Sequence, residues 1–542
     1  MYDSQIKIEK NILFRFLVGI IFVCVLSHAQ VERWVYQFDG GVNGNDEAIA
    51  LIHSVDGNIY AAGYSSGNGT DSDFTVVSLT SGGVERWVYR YNGPGDSLDI
   101  ARALVCDPDG NLYVAGSSYN NNNNDVIIIS LAPDGAERWV YRYNGTGNGD
   151  DIANSIVLGL DGNLYAAGVS YEAGTEDDFL IISVDTTGNE RWVYTYDWTG
   201  GGDGAYALAY GADHNLYAAG YSYHFGVVHV FTVISIDTAG SERWLFRTQG
   251  TGVVDEAVQS IVFGLDGNIY AVGYSHLLDF TVVSLDTAGI ERWTYLKGQA
   301  GFNDRALDVT YGSDGNIYSV GFLENNGTGY DFTVISLTAM GDTNWLYGIN
   351  GSANGNDVGQ AIVYGADEHI YCAGWIIDTS SAEDFVVIRL NTTGAEEWKY
   401  KYNGADNNTD KAAAVVYGQD DNIYVAGCCT DSENLDFVVI SLDTTTTGVD
   451  EKQIQASGIQ CVHPFSTFFT NSIVLEVNNP PCNLEIVLYD VQGRKRYETL
   501  LSSPPTVLEI NDGEISLLPK GIYFLRININ SVDQEVVKLI KI

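Results

Sequence analysis

The sequence predicts an all-β protein: an eight-bladed β-propeller of four-stranded antiparallel blades, followed by a small C-terminal β-sandwich. A tryptophan recurs at intervals of 49 to 53 residues, which is the length of a propeller-sized repeat. Within each interval, turn signals separate four short strand patterns. The third of these strands is apolar on both faces, as expected when a sheet is covered on two sides. The eight tryptophans are Trp34, Trp87, Trp139, Trp192, Trp244, Trp293, Trp345 and Trp398.

One repeat shows how each strand is predicted. Residues 151–158 and 164–168 form the first two strands, and Asp161-Gly162-Asn163 between them supplies the positive φ values of a tight hairpin. Residues 179–184 form the third strand, and a short turn leads into the tryptophan strand at 190–196. We expect the stacked sheets to close into a ring, because a linear solenoid needs polar end caps and the sequence shows none.

The propeller is assigned to residues 30–448, and its ring is expected to close by strand exchange. The chain enters on a tryptophan strand at 31–38, whereas the last repeat ends after its third strand. We expect residues 31–38 to pair with residues 436–443, because this pairing removes two open sheet edges.

A tyrosine and a glycine recur in the second strand of every repeat. We expect the tryptophans to pack between blades, and the strand glycine to make room for an aromatic side chain of the neighbouring blade. The tyrosines are Tyr60, Tyr113, Tyr165, Tyr217, Tyr270, Tyr318, Tyr371 and Tyr424, and the glycines are Gly63, Gly116, Gly168, Gly220, Gly273, Gly321, Gly374 and Gly427.

An aspartate opens the first strand of each repeat. The favoured interpretation is that each side chain bonds the backbone of its own turn. The alternative is a ring of carboxylates at one mouth of a central channel, where hard-oxygen ligands would suit calcium; no other cofactor is expected. The eight residues are Asp46, Asp99, Asp151, Asp203, Asp255, Asp304, Asp357 and Asp410.

The repeat resembles the bacterial β-propeller repeat family abbreviated SBBP. The matching elements are Asp-Gly-Asn-Ile-Tyr, Asp-Phe-Thr-Val and Gly-X-X-X-Trp, and the resemblance covers residues 31–448. It implies the propeller fold but hardly any activity, because the family is defined by its repeat.

Residues 1–29 are predicted to be a secretory signal peptide. Basic residues precede an apolar run from Phe16 to Leu26, and Ser27-His28-Ala29 offers small residues for cleavage. No later segment is apolar enough to span a bilayer, so we expect no transmembrane segment in the mature chain. The net charge of −43 argues against nucleic acid as a partner.

The repeat register breaks after Gly448, where residues 449–460 are predicted to be a linker. Residues 461–542 show short strand patterns, the motifs Tyr489-Asp-X-X-Gly-Arg494 and Leu518-Pro-X-Gly-Ile-Tyr-Phe524, and a basic-apolar terminus. These motifs resemble the type A C-terminal sorting domain of the type IX secretion system, although Val462-His463-Pro464-Phe465 replaces the usual opening Asn-Pro pair. The resemblance implies export by the type IX machinery to the outer surface of a Gram-negative bacterium, followed by removal of the domain.

The cysteines offer no dense disulfide framework. Cys106, Cys372 and Cys428 lie in apolar strand patterns and are predicted to be packed thiols, whereas Cys461 and Cys482 are close enough in sequence to pair.

Two classes of function remain: a non-catalytic binding or adhesion propeller, and an extracellular propeller enzyme. Common hydrolase and nucleotide-binding motifs do not occur. Asp185 to Trp192 resembles the blade-docking motif of quinoprotein dehydrogenases with one residue deleted, and Cys428-Cys429 resembles their vicinal disulfide. Sameness of the repeats favours binding, because a catalytic site, quinoprotein-like or polysaccharide-active, needs a few unlike residues at one place.

The ligand is predicted to lie on the face that carries the second-to-third loops and the blade-to-blade connections. These loops vary, whereas the turns of the opposite face are nearly identical. The fourth blade is the most distinctive, since aromatic and histidine residues there suit stacking on surface glycans or protein chains. The candidates are Trp198, Tyr223, His224, Phe225 and His229. The alternative is that they pack an oversized loop onto its neighbour.

Overall fold

The computed structural model describes most of the repeat region and the strands of the tail. Described residues are 32–444, except for 42–43, 68–70, 224–227, 251–253, 300–301, 380, 405–406 and 432–433, together with strands between residues 462 and 541. All regular elements among them are β-strands. The predicted signal peptide, the linker and both Cys461 and Cys482 lie outside the described residues.

Thirty-two strands form eight four-stranded antiparallel sheets, as predicted. Blade 1 contains β2 (Glu47–His53), β3 (Asn58–Ser66), β4 (Ser72–Thr80) and β5 (Glu85–Tyr91); blade 2 contains β6 (Ile100–Cys106), β7 (Leu112–Tyr119), β8 (Asn124–Leu131) and β9 (Glu137–Tyr143). Blade 3 contains β10 (Ile152–Leu158), β11 (Asn163–Tyr171), β12 (Asp177–Asp185) and β13 (Glu190–Tyr196); blade 4 contains β14 (Gly204–Tyr210), β15 (Asn215–Tyr223), β16 (His229–Asp237) and β17 (Glu242–Arg247).

The second half of the ring repeats this arrangement. Blade 5 contains β18 (Ala257–Phe263), β19 (Ile269–Ser275), β20 (Asp279–Leu285) and β21 (Glu291–Lys297); blade 6 contains β22 (Arg305–Tyr311), β23 (Ile317–Asn325), β24 (Gly329–Leu337) and β25 (Thr343–Ile349). Blade 7 contains β26 (Val358–Tyr364), β27 (His369–Ile377), β28 (Glu383–Asn391) and β29 (Glu396–Tyr402); blade 8 contains β30 (Lys411–Tyr417), β31 (Asn422–Asp431) and β32 (Asn434–Asp443), with β1 (Glu32–Phe38) as its fourth strand.

The predicted ring closure is confirmed. Strand β1 pairs antiparallel with β32, from Glu32 opposite Leu442 to Phe38 opposite Phe437. The first strand of each blade lies beside the first strands of both neighbours, and β2 contacts β30. The ring is therefore complete, and the eight first strands surround its axis.

The core lies between the blades. One cluster joins Tyr165, Phe179 and Ile181 of blade 3 to Leu216 and Ile234 of blade 4. Such clusters recur from one blade to the next, which explains why the third strands are apolar on both faces.

The recurring strand glycine has a different cause from the one predicted. A Cβ on Gly168 would lie 1.8 Å from the carbonyl oxygen of Ile152, which belongs to the same blade. The first strand carries an irregularity between Ala153 and Ser155 that brings its backbone this close. The expectation that the glycine accommodates an aromatic ring next door is wrong; it accommodates a β-bulge.

The tail contains two sheets of its own. A three-stranded sheet has the order β33 (Val462–Pro464), β35 (Ile473–Val477), β38 (Val507–Ile510). A five-stranded sheet has the order β34 (Phe468–Phe469), β40 (Asp533–Lys541), β39 (Gly521–Ile529), β36 (Asn483–Asp490), β37 (Lys495–Ser502), with β34 and β40 parallel.

Candidate functional site

The recurring motif residues are hydrogen-bonded to one another or to the neighbouring blade, so few of their polar groups remain available to a ligand. In blade 3, Tyr165 donates to Asp161 Oδ2 (2.7 Å), and Arg191 donates both to the Tyr165 hydroxyl (3.1 Å) and to Ser183 Oγ (2.8 Å). The Trp192 indole donates to the Thr238 carbonyl of blade 4 (3.1 Å). The prediction that the tryptophans pack between blades is confirmed.

The carboxylates at the blade entrances are backbone clamps. Asp151 accepts from the amides of Gly145 and Tyr171 (2.9 Å each), and its own amide donates to the Asn124 carbonyl of blade 2 (2.7 Å). Asp151 thus links the blade-to-blade connection, the end of β11 and the preceding blade. Burial raises the pKa of Asp151 to about 6, against the lowering effect of its amide donors. The favoured interpretation of these aspartates agrees with this geometry, and the side chains are buried rather than lining an open mouth.

Blade 5 corrects one member of this set. Glu256, not Asp255, is buried there and accepts from the His276 amide (3.2 Å) and the Thr248 hydroxyl (2.5 Å). Asp255 is half-exposed and accepts from His229 Nδ1 (2.8 Å). Sequence spacing misplaced the clamp by one residue: the backbone amide of Glu256 donates to the His229 carbonyl (3.0 Å), which is equivalent to the bond that the Asp151 amide makes to Asn124.

The predicted ligand residues of blade 4 are partly brought together. His224 and Phe225 lie outside the described residues. Trp198 and Tyr223 donate their backbone amides to the two oxygens of Asp203 (3.2 and 3.1 Å), so the blade 4 clamp holds both. The Trp198 ring is covered by the Arg247 guanidinium, 3.7 Å from the ring centre. Tyr223 meets the His229 ring edge-on at 5.9 Å.

His229 also belongs to a second group of side chains, which we call the mouth cluster: Tyr206, Tyr221, His229, Tyr274 and Arg305. The Tyr221 ring lies 5.2 Å from Tyr206 and 4.8 Å from His229. The Arg305 guanidinium stacks 4.2 Å from the centre of the Tyr274 ring, and its Nε donates to Asn303. These residues come from blades 4, 5 and 6 and lie at the channel end that carries the variable loops.

Tyr206 is the exposed centre of the mouth cluster. It projects from the bulge of β14 and is 39% exposed, whereas burial of its remaining surface raises its pKa. The repeat pattern did not single out Tyr206, although the sequence differs from the other repeats at this position. The seven other blades carry Ile49, Arg102, Asn154, Gln259, Leu307, Gln360 and Ala413 at this position, so the only aromatic residue stands beside the most distinctive loop.

The described part of the chain shows neither a metal-binding cluster nor a membrane-spanning helix. There, no three His, Cys, Asp or Glu side chains come together in a group that could hold a metal ion. No described helix is long and apolar enough to cross a membrane. Cys106, Cys372, Cys428 and Cys429 are free thiols, and all but Cys106 are buried.

Comparison with known proteins assigns the chain to no family. No family model and no curated protein matches the chain. Among solved structures, Sqt1 from Chaetomium thermophilum is 12% identical, with 77% of this chain and 99% of that chain covered and a TM-score of 0.47. PorZ, a surface component of the type-IX secretion system of Porphyromonas gingivalis, is 9% identical (94% and 100% covered, TM-score 0.24). The NanB sialidase from Streptococcus pneumoniae is 12% identical (77% and 71% covered, TM-score 0.34).

Proposed function

We propose that this protein is an extracellular, non-catalytic β-propeller that binds a surface glycan at the channel mouth of blades 4 to 6. The observation that carries the proposal is the mouth cluster, in which an exposed tyrosine lies among tilted and edge-on aromatic rings, an arginine and the His229–Asp255 pair. Aromatic faces beside hydrogen-bonding groups suit the apolar faces and hydroxyls of sugar rings.

The carboxyl groups with raised pKa values at the blade entrances have structural roles, which favours binding over catalysis. A raised carboxyl pKa is often the sign of a catalytic acid. Here seven aspartates with raised pKa values are buried, and their oxygens accept from backbone amides. In these seven residues the raised pKa belongs to the clamps that fasten the blades, and it does not support the alternative of a propeller enzyme.

The test is binding to immobilised glycans and purified surface polymers. The parent protein is compared with a Tyr206→Ala, Tyr274→Ala double variant and with Leu265→Ala. Leu265 is 82% exposed on the opposite face, so its loss removes apolar surface without touching the cluster. We expect binding by the parent and by Leu265→Ala and loss of binding by the double variant, with all three melting within a few degrees of each other. A ligand held equally by all three proteins would place the site elsewhere.

We also propose that residues 461–542 direct export by the type IX machinery to the outer surface of a Gram-negative cell. The support is the two motifs in the tail that resemble a type A sorting domain, together with the signal-peptide pattern of residues 1–29. A fluorescent protein carrying this signal peptide and residues 449–542 should reach the medium or surface of a type IX-competent host. The same fusion lacking residues 538–542 should stay in the periplasm, and equal export of both would count against the proposal.

A further inference from the structure

An ion pair between the third and outer strands recurs around the ring. In blade 1, Arg90 lies 3.2 Å from Asp73, and in blade 2, Arg142 lies 3.0 Å from Asp125. In blade 7, Lys401 lies 2.9 Å from Asp384. In each case the cation is the sixth residue of the outer strand, and the aspartate is the second residue of the third strand.

Blade 4 keeps the cation but lacks the carboxylate. Arg247 occupies the sixth position of β17, whereas Val230 occupies the second position of β16 and is 1% exposed. Among the described residues, Arg247 has no ion-pair partner, and its buried NH1 nitrogen has no hydrogen-bond partner. It is the one arginine there that leaves a buried terminal guanidinium nitrogen unpaired.

Aromatic rings stand where the carboxylate is missing. The Arg247 guanidinium lies 3.7 Å from the centre of the Trp198 ring and 5.8 Å from that of Tyr196. Stacking on an aromatic face holds a guanidinium flat but satisfies none of its N–H donors. Arg247 as a whole residue is only partly buried. A planar, fixed fork of donors is suited to two-point binding of a carboxylate.

We infer that Arg247 and Trp198 form a site for the carboxylate of an acidic sugar, supplied by the ligand in place of the absent aspartate. The inference deepens the proposed function, on which it rests, by naming a ligand class. The net charge of −43 repels dense polyanions, so widely spaced uronic acids on a largely neutral glycan fit better than a sulfated polymer. Thr199, next to Trp198, donates to the Tyr223 carbonyl, which places a further aromatic residue nearby.

The experiment measures binding of glucuronate and of its neutral counterpart, glucose, by saturation-transfer NMR at constant ionic strength. The whole protein is compared with Arg247→Gln, which removes the fork, and Val230→Asp, which restores the internal partner found in blades 1, 2 and 7. Arg142→Gln is the matched control, because Arg142 occupies the same strand position and is already paired.

We expect glucuronate to bind the parent and Arg142→Gln, with at least a tenfold loss of affinity in Arg247→Gln and in Val230→Asp. Glucose should bind all four proteins equally. Val230→Asp should also raise the melting midpoint, because the new carboxylate neutralises Arg247; if it fails to fold, Arg247→Gln decides alone.

Other outcomes overturn the inference in distinguishable ways. Unchanged glucuronate binding in Arg247→Gln, with loss in the Tyr206→Ala, Tyr274→Ala variant, would move the carboxylate to Arg305 and leave the proposed function standing. Binding of a glutamate-rich peptide through Arg247 without glucuronate binding would indicate a protein partner instead. No response of the parent to either probe would show that stacking on Trp198 is the whole role of Arg247.

Discussion

Replacing Gly188 by alanine should separate backbone strain from packing between blades. Gly188 lies in the turn before β13 with φ of +91°, and a Cβ there would lie 2.8 Å from Cδ2 of Trp139 in the preceding blade. Gly162, in another turn of blade 3, has φ of +76°, but a Cβ there would meet nothing within 4 Å. Both glycines thus need a left-handed backbone conformation, but only Gly188 has a neighbouring side chain close to where a Cβ would lie.

The expected losses follow from this difference. A left-handed conformation costs alanine about 1–2 kcal/mol, and Gly162→Ala should lose that amount only. Gly188→Ala adds the cost of overpacking, about 1–3 kcal/mol. Moving the indole also strains the bond from Trp139 Nε1 to the Thr186 carbonyl (3.0 Å), which contributes about 1 kcal/mol. Gly188→Ala should therefore be destabilised by about 3–6 kcal/mol.

Equilibrium denaturation and thermal melting of both variants measure the difference. A Trp139→Ala, Gly188→Ala double variant completes the design, because without the indole the added methyl group should cost only the backbone strain. Equal midpoints for Gly162→Ala and Gly188→Ala would refute the reasoning, since the neighbouring ring would then contribute nothing.

Three further predictions concern closure, pH and calcium. Removal of residues 1–38 exposes the edge of β32 and should cause self-association in light scattering, whereas removal of residues 1–30 should leave a monomer. Burial raises the pKa of Asp203 to about 7 and that of Asp151 to about 6. Protonation of the two carboxyls therefore stabilises the fold fully below about pH 4, and this stabilisation is lost as the pH rises through the two folded-state pKa values. The melting midpoint should therefore fall from pH 5 to pH 8, less steeply in Asp203→Asn than in the exposed control Asp109→Asn. A midpoint that rises over this range would contradict the assignment. Calcium binding remains a prediction: a chelator should lower the midpoint if the acidic loops hold calcium, and an unchanged midpoint removes the idea.

The fold was predictable because the same pattern of strands and turns occurs eight times in the sequence. The tryptophan strand of blade 3 was placed at its observed bounds, 190–196, and the closing strand at 31–38 was placed within one residue. Period and apolar pattern suffice for such elements, since each must bury both faces. The bulge that requires Gly168 was not predictable, because the closeness of two backbones leaves no pattern beyond the glycine itself.

The candidate site was predicted less well, for a physical reason. The unusual loops predicted Trp198, Tyr223 and His229, which the structure does place on one face. They did not predict Tyr206, because a strand residue in a regular repeat is recognised as unusual only after alignment with the other seven blades. The repeat spacing predicted Asp255 in the clamp, because spacing cannot tell which of two adjacent acids turns inward.

Departure from the repeat does not by itself mark a functional residue in this ring. Asp308 shows why. It replaces the small residue found at its position in other blades, yet it accepts from Ser260 of blade 5 (2.8 Å) and from the Ile362 amide of blade 7 (2.9 Å). The Asp308 carboxylate is held by hydrogen bonds among blades 5, 6 and 7. Burial raises its pKa and also keeps it away from a ligand. Arg247 departs in the opposite sense, since its internal partner is lost and no described side chain replaces the carboxylate. What separates the two is whether the hydrogen-bonding capacity of the unusual residue is already used, and this difference is the reason for placing the proposed ligand site in blade 4.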